Sequence, residues 1–295
     1  MEFLVFLAAY IIRRKLDNAN AFAGDDLWRK GFAAGHRASP GKESSLTRGL
    51  LMIAVPALLL ALAEFFSQGT GWYVVVHPFG FLLLIGLMGA PGVGSILQEY
   101  TDAWRRGDMQ AAWHRVQNFL PAEERGAATS PGPMHRAVSS TLIGLIFERY
   151  FVVAFWYVIG GLWAAFAARA LIALRDHWPQ PEARAGFGRF ASAASFLPAK
   201  LLILTFGVAG DLAGWLKGGK SAVLSPSAEN RQMLMSGANS SLTGYELQPE
   251  RFSEVHSEDW PDFGERSLTA VRELMNRSML VWICALALMV IAGIA

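Results

Sequence analysis

Residues 138–174 read VSSTLIGLIFERYFVVAFWYVIGGLWAAFAARALIAL, thirty-seven positions with only Glu148, Arg149 and Arg169 charged. About 20 mostly apolar residues cross the roughly 30 Å of a bilayer's hydrocarbon core. The stretch is therefore long enough to span a membrane and too long to do so as one straight helix. It is either steeply tilted or broken near Gly160–Gly161. Its apolar residues run continuously instead of alternating, which excludes the strand pattern of a transmembrane β-barrel. The fold class is all-α: a polytopic helical membrane protein of five or six spans with helical cytoplasmic segments.

Similar runs lie on both sides. Leu50–Phe66, Gly71–Leu97, Ala194–Leu216 and Met279–Ala295 are each apolar enough for a span, and Leu50–Phe66 carries Pro56, which membrane helices tolerate. A shorter run, Phe3–Ile12, spans only if the stems of Arg13, Arg14 and Lys15 snorkel to the interface. No cationic stretch precedes it and no small-residue cleavage site follows, so it reads as a retained helix and not a signal peptide. The expected spans are 3–16, 50–66, 71–97, 138–168, 194–216 and 279–295 within a single integral-membrane domain. Trp72, Tyr73, Trp156, Tyr157, Trp163, Trp215 and Trp282 sit where aromatic belts or packed helix interfaces need them.

Composition agrees. The 295 residues are 53% apolar and 17% charged, with mean hydropathy +0.30. Soluble domains hold about 45–50% apolar and about 25% charged residues. Disorder, collagen and coiled coil are excluded, and a purely soluble enzyme is disfavoured. The single cysteine, Cys284, leaves no intrachain disulfide, no cysteine metal cluster and no CxxC pair. The net charge of +2 is too small to imply nucleic acid. Segments 17–49, 98–136 and 217–278, with Arg13–Lys15 at the edge of the first, hold twenty of the 26 Lys and Arg residues. The positive-inside rule places those segments in the cytoplasm, with the turn 67–70 and the segment 169–195 on the other face. Ser225–Gly244 looks mobile, and Leu268–Arg277 reads as a short amphipathic helix entering the last span.

The charged residues inside the apolar runs are the candidate site. Glu148, Arg149 and Arg169 lie in 138–174, and Lys200 and Asp211 lie three turns apart in the next run. Charges at such depth face a bundle interior with a partner. Two readings stay open: buried ion pairs that fix helix register, or a polar cavity opening to the cytoplasm where a ligand or proton is handled. Gly89–Ser95 (GAPGVGS) lacks the lysine of a phosphate-binding loop and follows an apolar run, so it reads as a loosened helix end. The six histidines form no HExxH or HxxH pattern and read as surface or interface residues, not ligands. Asp25-Asp26 complements the dipole at a helix start, and Trp104 and Trp113 suit an amphipathic helix on the membrane surface. No metal and no cofactor is expected.

Phe147–Tyr157 (FERYFVVAFWY) resembles the FER-F-V-FWY stretch of the AmpE family. Ser195–Leu202 followed by Gly207–Asp211 is similar to that family's P-A-R/K-L and ALAGDF span. Val271–Leu274 with Arg277–Trp282 resembles its last helix, while Leu4–Leu16 and Asp26–Trp28 fit loosely. The resemblance implies a multi-pass protein of the bacterial inner membrane that modulates induction of a chromosomal β-lactamase without being an enzyme. It implies membrane lipids as surroundings, and a cytoplasmic muropeptide amidase or a muropeptide-like ligand as partner; the oligomeric state stays open. The family is distantly related to the CobD/CbiB cobinamide synthases. Their RDT and EN-x-x-D motifs have no counterpart here, and Glu148 is the only acid in Leu142–Arg149, where the second would fall. The alternative is a membrane-bound amide-forming synthase, with Glu148 and Asp211 as polar centre and Arg149 and Lys200 as anion clamps.

Overall fold

The computed structural model describes residues 2–21, 24–35, 46–67, 73–126, 130–219, 223, 229–242 and 246–293, with no strand among them. The helices are α1 (Glu2–Asn18), α2 (Gly24–Gly35), α3 (Leu46–Ser67), α4 (Tyr73–Leu87), α5 (Val93–Arg105), α6 (Met109–Val116), α7 (Ala122–Arg125) and α8 (Pro131–Ile146). A π-helical turn, Phe147–Phe151, joins α8 to α9 (Val152–His177). There follow α10 (Pro181–Ala209), α11 (Leu212–Gly214), a second π turn at Trp215–Gly219, α12 (Asn230–Ser241), α13 (Pro249–Val255), a 3-10 turn at Ser257–Asp262 and α14 (Phe263–Ile291). The all-α expectation holds.

Four stretches among the described residues are long and apolar enough to cross a membrane: Leu46–Ser67, Pro131–His177, Pro181–Ala209 and Ser257–Ile291. Their outer surfaces are oily. On α3, Leu51, Val55, Leu58, Leu59, Phe65 and Phe66 are all more than half exposed. Such an apolar face is stable against lipid and unstable in water.

Several expected boundaries shift. The run 71–97 is not one helix: α4 ends at Leu87, and Gly89 (φ 99°), Pro91 and Gly92 (φ 80°) break the chain before α5. The Gly/Pro stretch is thus the loosened helix end expected, and Ser95 Oγ donates to the Gly92 carbonyl. The runs 194–216 and 279–295 belong to helices that begin earlier, at Pro181 and Phe263. Leu268–Arg277 lies inside α14, and 229–242, from the stretch expected to be mobile, holds α12. Trp72, His36, the turn 68–70 and residues 225–228 and 243–244 lie outside the described residues.

Glycine decides the path of residues 138–174. Gly161 has φ 80° and ψ −165°, a conformation essentially confined to glycine. The helix breaks there and returns. Arg175 donates twice to Glu148, at 2.7 Å each, although 27 residues separate them. In an unbroken helix that spacing would place them about 40 Å apart. Of the two routes open to the sequence, the break at Gly160–Gly161 is the one taken. Glu64 of α3 steadies it, accepting the Leu162 N–H at 2.7 Å and the Trp163 N–H at 3.4 Å, two donors the break would otherwise orphan.

The chain divides into two compact units. The first holds residues 1–91, 147–198 and 286–295. Its core gathers Phe32 of α2, Ile53 of α3, Ala170, Ala173 and Leu174 of α9, and Trp178, Ala183 and Phe187. The second holds 92–146 and 199–285. There α5 and α6 pack as a hairpin, with Asp108 capping α6 by accepting the Ala111 N–H at 2.9 Å. Trp104 does not lie on a surface as expected; it is 1% exposed and packs on Tyr100, His135, Trp260 and Phe263. His135, read as a surface or interface residue, is fully buried there, bonded through Nδ1 to the Tyr100 hydroxyl at 3.0 Å.

Candidate functional site

Three of the five expected site residues gather in the first unit. Glu148, Arg149 and Tyr150 follow one another in the Phe147–Phe151 turn, whose wider π spacing sends each to a different helix. Glu148 meets Arg175 of α9, Arg149 meets Asp25 of α2, and the Tyr150 hydroxyl donates to Asp17 of α1. Asp25 is the hub. Its Oδ1 accepts from Arg149 Nη1 at 2.6 Å and from Arg169 Nη2 at 2.9 Å, its Oδ2 accepts from Arg149 Nη2, and His177 Nε2 stands 3.6 Å away. Arg175 also reaches Asp176 at 2.8 Å, so three arginines face three carboxylates in one patch.

The surroundings favour the charged state of Asp25. Burial alone would raise its carboxyl, but the nearby His177 ring, the hydrogen bonds from Arg149 and the charges of Arg149 and Arg169 outweigh that and hold it far below the usual carboxylate range. α2 brings Asp25 here by packing its apolar side on α9 and the residue that follows it: Trp28 meets Phe166, and Phe32 meets Trp178. The Arg169 guanidinium lies over the Trp28 ring, 5.9 Å from its centre.

A second network adjoins it along α1. Arg13 was expected to snorkel outward and is instead fully buried, bonded to Asp17 and to the Ile85 carbonyl near the end of α4. Asp17 also accepts the Ala90 N–H at 3.0 Å. A Cβ at Gly89 would lie 1.7 Å from Arg13 Nε, so glycine there is a packing requirement as well as a conformational one.

Lys200 and Asp211 take their partners in the second unit. Lys200 donates to the Val223 carbonyl, while Asp211 caps α11 through the Ala213 N–H at 3.0 Å and donates its own N–H to Ser241 at 2.9 Å. Both have structural partners there and neither belongs to the Asp25 cluster. Asp25, Arg175, Asp176 and His177 were not singled out by sequence reasoning. Asp25 read as a helix-dipole residue, and the other three lie just past the apolar run. The cluster also joins the connector holding Asp25 to the one holding His177, segments that the charge pattern placed on opposite faces. The return of α9 at Gly161 brings them together.

These features define a polytopic α-helical membrane protein with a buried arginine–carboxylate cluster. Comparison with protein-family models, with curated proteins and with solved structures finds no match to this chain.

Proposed function

We propose that the protein is a non-enzymatic signalling protein of the bacterial inner membrane, of the AmpE type, which modulates β-lactamase induction in step with muropeptide recycling. The observation that carries this reading is the Phe147–Phe151 turn, which opens the stretch that resembles that family. Its three consecutive polar residues tie α1, α2 and the returning half of α9 together through Asp17, Asp25 and Arg175. A displacement of any of these helices is thereby felt by the others, which is what a transducer requires. A muropeptide-like ligand or a cytoplasmic amidase is the proposed input.

Glu148→Gln tests it. The variant keeps the shape of Glu148 and weakens its hold on Arg175. The full chain is expressed in a bacterium with an inducible β-lactamase, in place of the host's own copy of this protein. Altered induction with undiminished membrane insertion is the expected result. Unchanged induction with normal insertion overturns the proposal.

A further inference from the structure

The Asp25 cluster holds more hydrogen-bond donors than one carboxylate can engage. Two guanidinium groups converge on it, while Arg175 is taken by Glu148 and Asp176. Arg169 is 1% exposed, and its Nε and Nη1 have no acceptor among the described residues. Buried donors of a charged group are costly to leave unmade. The planar fork of arginine is suited to two oxygens of a phosphate or carboxylate at once. Asp25 is more accessible than the three side chains around it, 29% exposed against 10% for Arg149, 1% for Arg169 and 17% for His177. It also sits in the first turn of a helix of only 12 residues. It is the group most readily withdrawn.

We propose that Arg149, Arg169 and His177 form a binding site for a phosphate monoester group, with Asp25 as its internal occupant. A carboxylate offers two oxygens and one charge. A phosphate monoester offers three oxygens and up to two charges, enough to pair with both guanidinium groups and to satisfy Arg169 Nε and Nη1. Ligand and Asp25 exclude one another, so the position of α2 reports whether the site is filled. Trp28, beneath the Arg169 guanidinium, senses the exchange. The phosphate belongs either to a soluble molecule or to the headgroup of an anionic lipid. This inference rests on the reading that the cluster is the working part of a transducer. Binding to purified protein and induction in cells are separate readouts, so either can fail alone.

The full-length protein is purified in an uncharged detergent, and thermal unfolding is followed against inorganic phosphate at constant ionic strength. Asp25→Asn is expected to show a saturable rise in Tm. The wild type shows the same rise at about tenfold higher phosphate or more, because its own carboxylate competes. Adding Arg169→Gln to Asp25→Asn abolishes the response. If Asp25→Asn does not fold, phosphate titration of the wild type and of Arg169→Gln reads the exchange through the fluorescence that Trp28→Phe removes. In nanodiscs, a Tm rise with phosphatidic acid that inorganic phosphate does not increase assigns a lipid headgroup. A response to inorganic phosphate in phosphatidylcholine discs assigns a soluble ligand. An equal response in wild type and Asp25→Asn, a response that survives Arg169→Gln, or none in any format overturns the proposal.

Discussion

Replacing Gly161 by alanine distinguishes a returning α9 from a straight one by the sign of the stability change. At φ 80° and ψ −165° a residue with a side chain is strained by about 1–3 kcal/mol. The added carbon would also lie 3.0 and 3.1 Å from the two carboxylate oxygens of Glu64. Glu64 must retreat, giving up the N–H groups of Leu162 and Trp163. Losing a cap of this kind costs about 0.5–2 kcal/mol. Together the two effects destabilise the protein by about 1.5–5 kcal/mol. In an unbroken helix the same substitution would stabilise by roughly 0.5–1 kcal/mol, since glycine is the poorer helix former. Unfolding in mixed detergent and dodecyl sulfate micelles, followed by tryptophan fluorescence, measures the difference. Glu64→Ala should cost only the cap term, and the double variant should cost less than the sum, because the cap is lost once. A neutral or stabilising Gly161→Ala would refute the break and the Glu148–Arg175 pairing that depends on it.

The pairing has its own test. A double-mutant cycle on Glu148→Gln and Arg175→Gln should return a coupling of about 0.5–3 kcal/mol, where residues about 40 Å apart on a straight helix would return none. Asp25 carries a pH dependence. Its folded-state carboxyl lies below the ordinary value of about 3.9, so the stability it contributes is fully present above that value and is lost as pH falls toward the folded one. The Tm difference between wild type and Asp25→Asn should stay level from about pH 5 to 8 and narrow below about pH 4. A difference as large at pH 3 as at pH 7 would contradict the ion pairing.

What the sequence made legible follows from which forces are local. Continuous apolar runs are a one-dimensional property, so helices, lipid-facing surfaces and the all-α class could be read from them directly. The breaks at Gly89–Gly92 and Gly161 were visible as glycine and proline, but whether Gly161 bends the helix or is absorbed in it depends on Glu64, about a hundred residues earlier. That contact is tertiary and leaves no periodic trace. The site shows the same division. Glu148, Arg149 and Arg169 stood out because charge inside an apolar run is costly and must be compensated. Their compensating partners did not stand out, because a residue at the end of a run is ordinary until the chain folds back and buries it. Asp25 is the sharpest case: read along α2 it complements a helix dipole, and read across to α9 it holds two arginines. Lys200 and Asp211 share with Arg149 a depth in apolar sequence but not its partners, since shared depth does not imply shared partners. Two arginines on one carboxylate, one of them with idle buried donors, is an arrangement that ion pairing for stability alone does not require. The carboxylate of Asp25 leaves Arg169 Nε and Nη1 unmade, and a group with three oxygens in its place could engage them.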